Sequence, residues 1–449
     1  MPPKRTRRDD QPPLLPTAAW QTRAPLLREP NEVAPPALDP LEQAPITDAS
    51  AYLTSQPLEL GGSRRRAPLS ERYVEWAGSR LRQRMRKIGA ALGAGMSGVT
   101  FACELTNGLQ CAVRISKNYG PGDSVQYRRE AAKHVLLERL RERYPQMLQN
   151  MVQMVDYQLV VGLPFDSIYT PRIAQDADVG DTVPRLVSVL EPCGQTLHLY
   201  LRTVVALMPW QQQMMAMGSI LCQMLCQLAN LQRLLPRFTH GDMHMNNMLM
   251  QPVSESSLRG RDALSYRVQL DAGQLDPATG EERAAHLMIT LPLNLTSDRL
   301  LKIIDLDLAY VEYLPSDAAG SEALVPSQAM SDPERRRYIG DAIQAVTFMV
   351  IAYEAALTLA NTMQEGQPVL HWTQALLGRL SAGYRVSGAQ EREWLLPRIL
   401  RDDHVFQRYV EVGITVVVPS APPVAGSRQL DDGHVRVDRI RSELADLCR

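Results

Sequence analysis

The densest group of polar residues bounded by apolar segments is the stretch His240–Asn247, which reads HGDMHMNN and precedes the apolar run Met248–Met250. An aspartate beside a substrate hydroxyl can orient that hydroxyl and accept its proton, and an asparagine five residues later can hold a metal ion. Asp242 and Asn247 have this spacing. We therefore interpret the stretch as part of a site that transfers a group to a hydroxyl. The alternative is a loop whose polar groups only satisfy one another.

A second acidic residue, Asp305, ends the strongly apolar segment Leu300–Ile304. A carboxylate at such a position is costly unless it is paired or binds a metal ion. Together with Asn247 it would complete an oxygen-rich magnesium site that also uses phosphate oxygens of a substrate. The alternative is an aspartate that caps the turn at the end of a strand.

Three glycines have the GxGxxG spacing of a glycine-rich turn between two strands: Gly93, Gly95 and Gly98. Glycine lets backbone amides approach phosphate oxygens because no Cβ intervenes, although glycine-rich hairpin turns also occur without this function. Arg114 follows on the neighbouring predicted strand, where its cation would face the phosphates, and Lys117 lies close by in the sequence. Glu130, on the next predicted helix, could pair with that cation. A surface cation and a solvated glutamate are the alternatives.

A sheet and several helices are needed to bring these residues together. Hydrophobic patterns predict two kinds of element: strands over 91–102, 110–116, 152–163 and 183–191, and helices over 125–142 and 210–235. Strands come first and long helices later. This order predicts an α+β fold with a small β-rich part followed by a larger helical part.

Residues 251–300 interrupt this order. They are polar and rich in turn residues up to Glu282, and they contain predicted strands at 266–270 and 286–293. Because structureless loops of this length are unusual, we predict a β-hairpin insertion. Residues 414–436 contain several prolines and glycines and are predicted to form a linker before a short terminal helix.

The composition is that of an ordinary soluble globular protein, with 45% apolar and 22% charged residues. The net charge of -1 provides no overall field that favours nucleic acid or an anionic membrane. The six cysteines form no CxxC pair, which favours free thiols in a reducing compartment. No signal peptide is predicted, and the longest apolar stretch, 342–359, is too short and too polar to predict a membrane span. We expect an intracellular protein.

Residues 1–66 are rich in proline and arginine and lack apolar periodicity, which predicts a disordered tail. Two basic runs lie in it, at 4–8 and 64–66. A solvated charged tail is the favoured interpretation of these runs, and a nuclear-localisation or nucleic-acid-binding role is the alternative.

Together these motifs resemble those of eukaryotic-type protein kinases. The stretch 240–247 resembles the catalytic loop HxDxxxxN, and 305–307 resembles the DFG triplet. Residues 189–194 resemble the hinge between the two lobes, where adenine bonds to backbone groups. Asp341 resembles the buried aspartate that holds the catalytic loop in place. The resemblance spans residues 88–380.

The segments FTHGDMHMNNMLM and LLKIIDLDLAYV, separated by an insertion, are similar to serine/threonine kinases of large DNA viruses, both giant viruses and poxvirus-like viruses. This resemblance implies a bilobal protein-kinase-like fold in four parts: a tail at 1–66, an N-lobe at 67–192, a C-lobe at 193–413 that includes the insertion 251–300, and a linker and tail at 414–449. It also implies a location in the host cytoplasm or the virion, with the nucleus as an alternative.

The resemblance further implies ATP and Mg²⁺ as cofactors and protein hydroxyls as acceptors. Asp242 would be the catalytic base, and Asn247 and Asp305 would bind Mg²⁺. A larger set of residues would line the nucleotide site: Gly93, Gly95, Gly98, Ala112, Arg114, Glu191, Cys193 and Leu249.

The chain departs from the family at several positions. Arg114 occupies the position of the expected strand lysine, and Lys117 would fill that role only in a shifted register. Glu130 is the implied partner of whichever cation serves. Gly241 replaces the usual arginine, and Asp307 replaces the glycine of the DFG triplet. Two alternative functions follow: a small-molecule phosphotransferase of the aminoglycoside or choline type, which HGDxHxxN also resembles, and a catalytically weak pseudokinase scaffold.

Overall fold

The computed structural model describes most of the middle of the chain: residues 74–95, 98–117, 123–141, 144–164, 185–235, 238–252, 263–270, 274–275, 282–292, 299–309, 338–386 and 394–417. The predicted basic tail and terminal helix lie outside these residues. The described part is a mixed α+β structure, which confirms the predicted fold class. The five described cysteines are free thiols, as predicted.

The order of the described elements agrees with the expectation only in part, because several strands follow the first long helix of the helical part. The strands are β1 Val74–Glu75, β2 Met85–Ala94, β3 Gly98–Leu105, β4 Gln110–Ser116, β5 Met154–Val161, β6 Arg185–Leu190, β7 Gln195–Thr196, β8 Met248–Pro252, β9 Ala263–Gln269, β10 Gln274–Leu275, β11 Glu282–Pro292, β12 Arg299–Ile303 and β13 Val410–Val417. The helices are α1 Arg80–Arg84, α2 Asp123–Arg141, α3 Leu197–Thr203, α4 Trp210–Leu234, α5 Tyr338–Ala360, α6 Met363–Val386 and α7 Leu395–Asp402.

A six-stranded sheet forms the first part of the described chain. Its strand order is β1-β5-β6-β4-β3-β2, and its neighbours are antiparallel except for the parallel pair β1 and β5. Phe101, Val113 and Val187 are buried in an apolar cluster on this sheet. Helix α2 packs against β5 and β6. The sheet thereby holds β4, which carries Arg114, next to the hairpin of β2 and β3.

The predicted strand at 91–102 is wrong as a single element. The structure divides it between the end of β2 and the start of β3. The Gly95 amide donates a hydrogen bond to the Gly98 carbonyl oxygen at 2.9 Å, which closes the hairpin there. The apolar residues on both sides of the glycines produced one continuous strand pattern.

Helix α4 is the centre of the helical part. Nearly every residue from 216 to 231 is buried, and the helix packs against α5, α6 and α7. Two helices, Trp210–Leu234 and Ile339–Ala360, are long and apolar enough to cross a membrane by length and composition. The apolar window of the first is 89% buried inside the protein and that of the second is 50% buried. The core helix of a soluble protein has the same properties, so these lengths are weak evidence for a membrane span.

A small three-stranded sheet packs against helix α4. Its order is β12-β8-β7. Gln223 of α4 is buried, and its Oε1 accepts hydrogen bonds from the Leu301 amide at 2.8 Å and from Asn150 Nδ2 at 3.2 Å. This buried polar contact fixes β12 on the central helix, because a broken hydrogen bond in such surroundings would leave an unsatisfied group.

The inserted segment forms the predicted β-hairpin, since β9 pairs antiparallel with β11. The prediction that residues 414–417 begin a linker is wrong. They belong to β13, which pairs with β11 from Ile289↔Val410 to Glu282↔Val417. The turn residues that predicted the linker start only at Pro419, whereas 410–417 is rich in β-branched residues. The insertion is therefore closed by a strand from the far end of the chain.

Candidate functional site

The register of two paired strands brings Asn247 and Asp305 close together. Asn247 directly precedes β8, and Asp305 follows β12 by two residues. The antiparallel ladder between these strands ends with the pair Ile303 and Met248. One residue further, the Ile304 amide donates to the Asn247 carbonyl oxygen at 2.9 Å. The pairing of β8 with β12 therefore brings together Asn247 and Asp305, which are 58 positions apart in the sequence.

The Asp242 carboxylate lies beside Asn247. Asn247 Nδ2 donates to Asp242 Oδ2 and to the Asp242 carbonyl oxygen, both at 3.0 Å. Burial raises the pKa of Asp305, and the nearby carboxylates of Asp307 and Asp242 raise it further, while Arg114 opposes the rise. The side chains of Asp242 and Asp305 are 30% and 28% exposed, so both carboxylates can meet a ligand.

The loop that carries Asp242 is held by the first turns of α5. The amides of His240 and Gly241 donate to the two carboxylate oxygens of Asp341 at 2.7 and 2.9 Å. The Met243 amide donates to Gln344 Oε1 at 3.0 Å. Gly241 has a φ of 78°, a left-handed conformation that favours glycine. Asp341 therefore makes the contact that its resemblance implied.

Two histidines complete this loop. His240 is buried, and burial lowers its pKa to about 4, so that the ring is neutral. Its Nε2 donates to the Ile304 carbonyl oxygen at 2.9 Å, which ties the loop to the end of β12. His244 accepts from the Asn246 amide through Nδ1 at 3.2 Å, so Nε2 carries the proton and lies 3.4 Å from Asp242 Oδ2. No role for His244 was predicted from the sequence.

Arg114 is enclosed by carboxylates. It forms an ion pair with Glu130 of α2, as the resemblance implied. Its Nη2 also lies 2.7 Å from Asp307 Oδ2 and 3.6 Å from Asp305 Oδ1. Gly98 packs against the same side chain, since a Cβ at position 98 would lie 3.2 Å from Arg114 Nε. In the sequence Asp307 is only a departure from the family, and its contact with Arg114 could not be predicted because no local pattern links positions 193 residues apart.

Lys117 has a different position from Arg114. Its Nζ donates to the Gly95 carbonyl oxygen at 2.6 Å, at the base of the glycine hairpin. Gly93 and Gly95 lie in open surroundings, where an added Cβ would meet nothing closer than 3.9 Å. Of the two candidate cations, Arg114 is the one that pairs with Glu130.

Lys133 is a second cation at the site, and it was not predicted from the sequence. It lies three residues after Glu130 on α2 and is only 9% exposed. Its Nζ donates to the carbonyl oxygens of Leu306 and Asp307 at 2.8 and 2.9 Å. No signal in the sequence singles out this lysine, because the helix also buries other charged or polar residues: Glu130, His134, Glu138 and Arg141.

The acidic residue of the hinge-like segment, Glu191, bonds to other residues inside the fold. Glu191 is buried, and its Oε1 lies 2.8 Å from Lys302 Nζ and accepts from the Gln153 amide at 2.8 Å. The Glu191 amide donates to the Gln153 carbonyl oxygen at 2.9 Å. Cys193 Sγ donates to the Glu191 carbonyl oxygen at 3.7 Å. The carboxylate and the amide of Glu191 are thus engaged inside the fold.

Two apolar residues of the predicted nucleotide site lie on the strands that flank this segment. Ala112 of β4 pairs with Leu190, the last residue of β6. Leu249 of β8 is half-buried, whereas its neighbours Met248 and Met250 are fully buried on the opposite face of the strand. Leu249 therefore presents an apolar surface on the side of the sheet away from the core.

The acidic groups fit a magnesium ion that is shared with a phosphate ligand. Among the described residues, no group of three or more His, Cys, Asp or Glu side chains is placed to hold a metal ion. Asp305 offers a carboxylate, and Asn247 offers its amide oxygen because its nitrogen donates to Asp242. Mg²⁺ bound with nucleotides commonly takes one or two such protein ligands and completes its shell with phosphate and water oxygens.

Comparison with models of known protein families gave no match for this chain, and a search among curated proteins gave none either. The geometry of the site is therefore the main support for a function.

Proposed function

We propose that this protein is a protein kinase that transfers the γ-phosphoryl group of ATP to serine or threonine hydroxyls. On this proposal the six-stranded sheet with α2 is the N-lobe of a bilobal kinase-like fold, and the helical part is the C-lobe. The observation that carries the proposal is the meeting of Asp242, Asn247 and the residues after β12 at one sheet edge. The ion pair between Arg114 and Glu130 supports it further.

The proposed chemistry depends on positioning and charge. Asp242 orients the acceptor hydroxyl and accepts its proton, and Asn247 Nδ2 holds that carboxylate in place. Asp341 fixes the loop amides, so that Asp242 is preorganised before substrate binds. Asp305 and Asn247 would hold Mg²⁺, which neutralises charge on the phosphates. Arg114, which packs against Gly98 and pairs with Glu130, would be the cation that meets the phosphates.

A nucleotide-binding scaffold with weak or no transfer is a second candidate function. The observation that favours it is the engagement of Arg114 by the carboxylates of Glu130 and Asp307 and, at 3.6 Å, by that of Asp305. An arginine held in this way has less positive charge to offer to phosphate than a lysine paired with one glutamate. The two candidates share the nucleotide site and differ in turnover.

Two measurements test the proposal. ATP with Mg²⁺ should raise the melting temperature more than ATP alone, because ligand that binds only the folded state stabilises it. With labelled ATP, the protein should phosphorylate itself or protein acceptors. A magnesium-dependent thermal shift without transfer would move the assignment to the scaffold. Transfer restricted to choline or aminoglycosides would move it to a small-molecule phosphotransferase.

The contacts of the two candidate cations predict different mutational effects. Arg114→Lys should keep or increase transfer, since it keeps a cation beside Glu130 and releases the second contact that the guanidinium makes, to Asp307. Arg114→Met should lower kcat by about 10²-fold or more, as expected for the loss of a charge that stabilises the transition state. Lys117→Ala should change kcat little, because Lys117 contacts the Gly95 carbonyl oxygen instead. Steady-state kinetics with varied ATP would check all three. Loss of activity in Lys117→Ala, with none in Arg114→Met, would show that Lys117 is the phosphate-binding cation.

A further inference from the structure

Lys133 is a buried cation that the proposed mechanism does not yet use. It lies on α2 with 9% of its surface exposed, and its Nζ donates to the carbonyl oxygens of Leu306 and Asp307. Burying an ammonium group is costly unless it is hydrogen bonded, and charge-assisted hydrogen bonds are stronger than neutral ones. The site therefore specifies a lysine at this position of α2 rather than an apolar residue.

The two carbonyl groups belong to the turn that sets the direction of Asp305. Asp305 has a φ of 65°, in the left-handed region that non-glycine residues rarely adopt. Within the turn, the Asp307 amide donates to Asp305 Oδ1 at 3.4 Å, and the Ala309 amide donates to the Leu306 carbonyl oxygen at 3.0 Å. A backbone conformation of this kind persists only where its surroundings hold it. Lys133 supplies that support from another element.

The same face of α2 also holds Arg114. Glu130 and Lys133 are three residues apart, so they lie side by side on the helix. Glu130 pairs with Arg114, and Arg114 in turn contacts the Asp307 carboxylate. The backbone and the side chain of Asp307 are thus both held by cations, one on α2 and one paired with α2.

We propose that Lys133 is a positioning residue that fastens α2 to the turn 305–307 and so holds the Asp305 carboxylate in the direction that binds magnesium. This inference rests on the proposed function of the site. On this inference α2 has a second role besides its ion pair with Arg114. One face of the helix contacts both Arg114, the cation proposed to meet phosphate, and the turn that carries Asp305, the proposed magnesium ligand.

The test is the magnesium dependence of nucleotide binding in Lys133→Met. The melting temperature is measured at a fixed ADP concentration while the Mg²⁺ concentration is varied, and phosphoryl transfer is measured over the same Mg²⁺ range. We expect the Mg²⁺ concentration for half-maximal effect to rise by about ten-fold or more in both assays, the size of effect seen when a group that orients a metal ligand is removed. Lys133→Arg, which keeps a cation, should raise this Mg²⁺ concentration by a smaller factor. Lys87→Met, at an exposed lysine of β2, is the matched control and should keep the wild-type midpoint.

The outcomes separate this inference from the proposed function. A Lys133→Met protein with a lower melting temperature but the wild-type Mg²⁺ midpoint would overturn the positioning role, since Lys133 would then serve stability alone. If that variant does not fold, Lys133→Gln keeps a neutral donor and should shift the midpoint in the same direction, and a wild-type midpoint there overturns the role as well. A wild-type protein that shows the magnesium-dependent ADP shift without transfer contradicts the kinase proposal and leaves the Lys133 result valid, because the thermal assay needs no turnover.

Discussion

Replacement of Asp242 by asparagine should lower the rate of phosphoryl transfer by about 10²–10⁴-fold, the usual contribution of a general base. The amide cannot accept the proton of the substrate hydroxyl. Its oxygen can still accept the hydrogen bond from Asn247 Nδ2, so the loop should keep its shape. ATP affinity should therefore stay close to that of the wild type.

Single-turnover kinetics with labelled ATP would measure the rate, and the magnesium-dependent thermal shift would measure nucleotide binding. Asp402→Asn is a suitable control, because Asp402 is an exposed aspartate on α7. Unchanged transfer in Asp242→Asn would remove Asp242 from the proposed chemistry. Loss of both transfer and nucleotide binding would mean that Asp242 acts mainly in binding.

Replacement of Asp341 by alanine should have the largest effect on stability. Its carboxylate accepts the amides of His240 and Gly241, and it is 2% exposed. Each buried amide left without an acceptor destabilises the fold by about 1–3 kcal/mol. Transfer should fall as well, because the loop that carries Asp242 loses its anchor. Denaturant unfolding would measure the free energy of unfolding. Asp341→Asn keeps one carbonyl oxygen as an acceptor, so its free energy of unfolding should decrease less than that of Asp341→Ala. Equal stability of Asp341→Ala and the wild type would contradict the anchoring role.

The same carboxylate predicts a pH dependence. Burial raises the pKa of Asp341 from 3.8 to about 7, although two backbone amides oppose the rise. Between these values the folded protein binds more protons than the unfolded chain, so stability decreases as the pH increases. The stability that the raised pKa of Asp341 contributes is fully present below pH 3.8 and is lost progressively as the pH rises to about 7. Above about pH 7 the ionisation of Asp341 causes no further change in stability. The free energy of unfolding of the wild type minus that of Asp341→Asn should therefore fall between about pH 4 and 7. A flat difference, or one that rises with pH, would contradict this.

Much of the fold could be predicted because its signals are local. The apolar spacing of α4 predicted a helix at 210–235, and the structure has it at Trp210–Leu234. The strand at 110–116 and the hairpin within 251–300 were also predicted. The partner of that hairpin could not be predicted, because β13 pairs with it from residues 410–417 and short β-branched segments do not specify their neighbours.

The candidate site could likewise be predicted where its signals are local, and its contacts between distant residues could not. The spacing of Asp242 and Asn247 and the position of Asp305 at the end of an apolar strand were visible in the sequence by itself, since each depends on a few neighbouring residues. Only the tertiary structure decided that Arg114 meets Asp307 and that Lys133 holds the carbonyl groups of the turn. These contacts join residues more than 170 positions apart, and an ion pair or a hydrogen bond forms wherever packing brings opposite partners together. The charge of a residue is compatible with many partners in the sequence. The packing of α2 against the sheet determines which of these partners Lys133 and Arg114 contact.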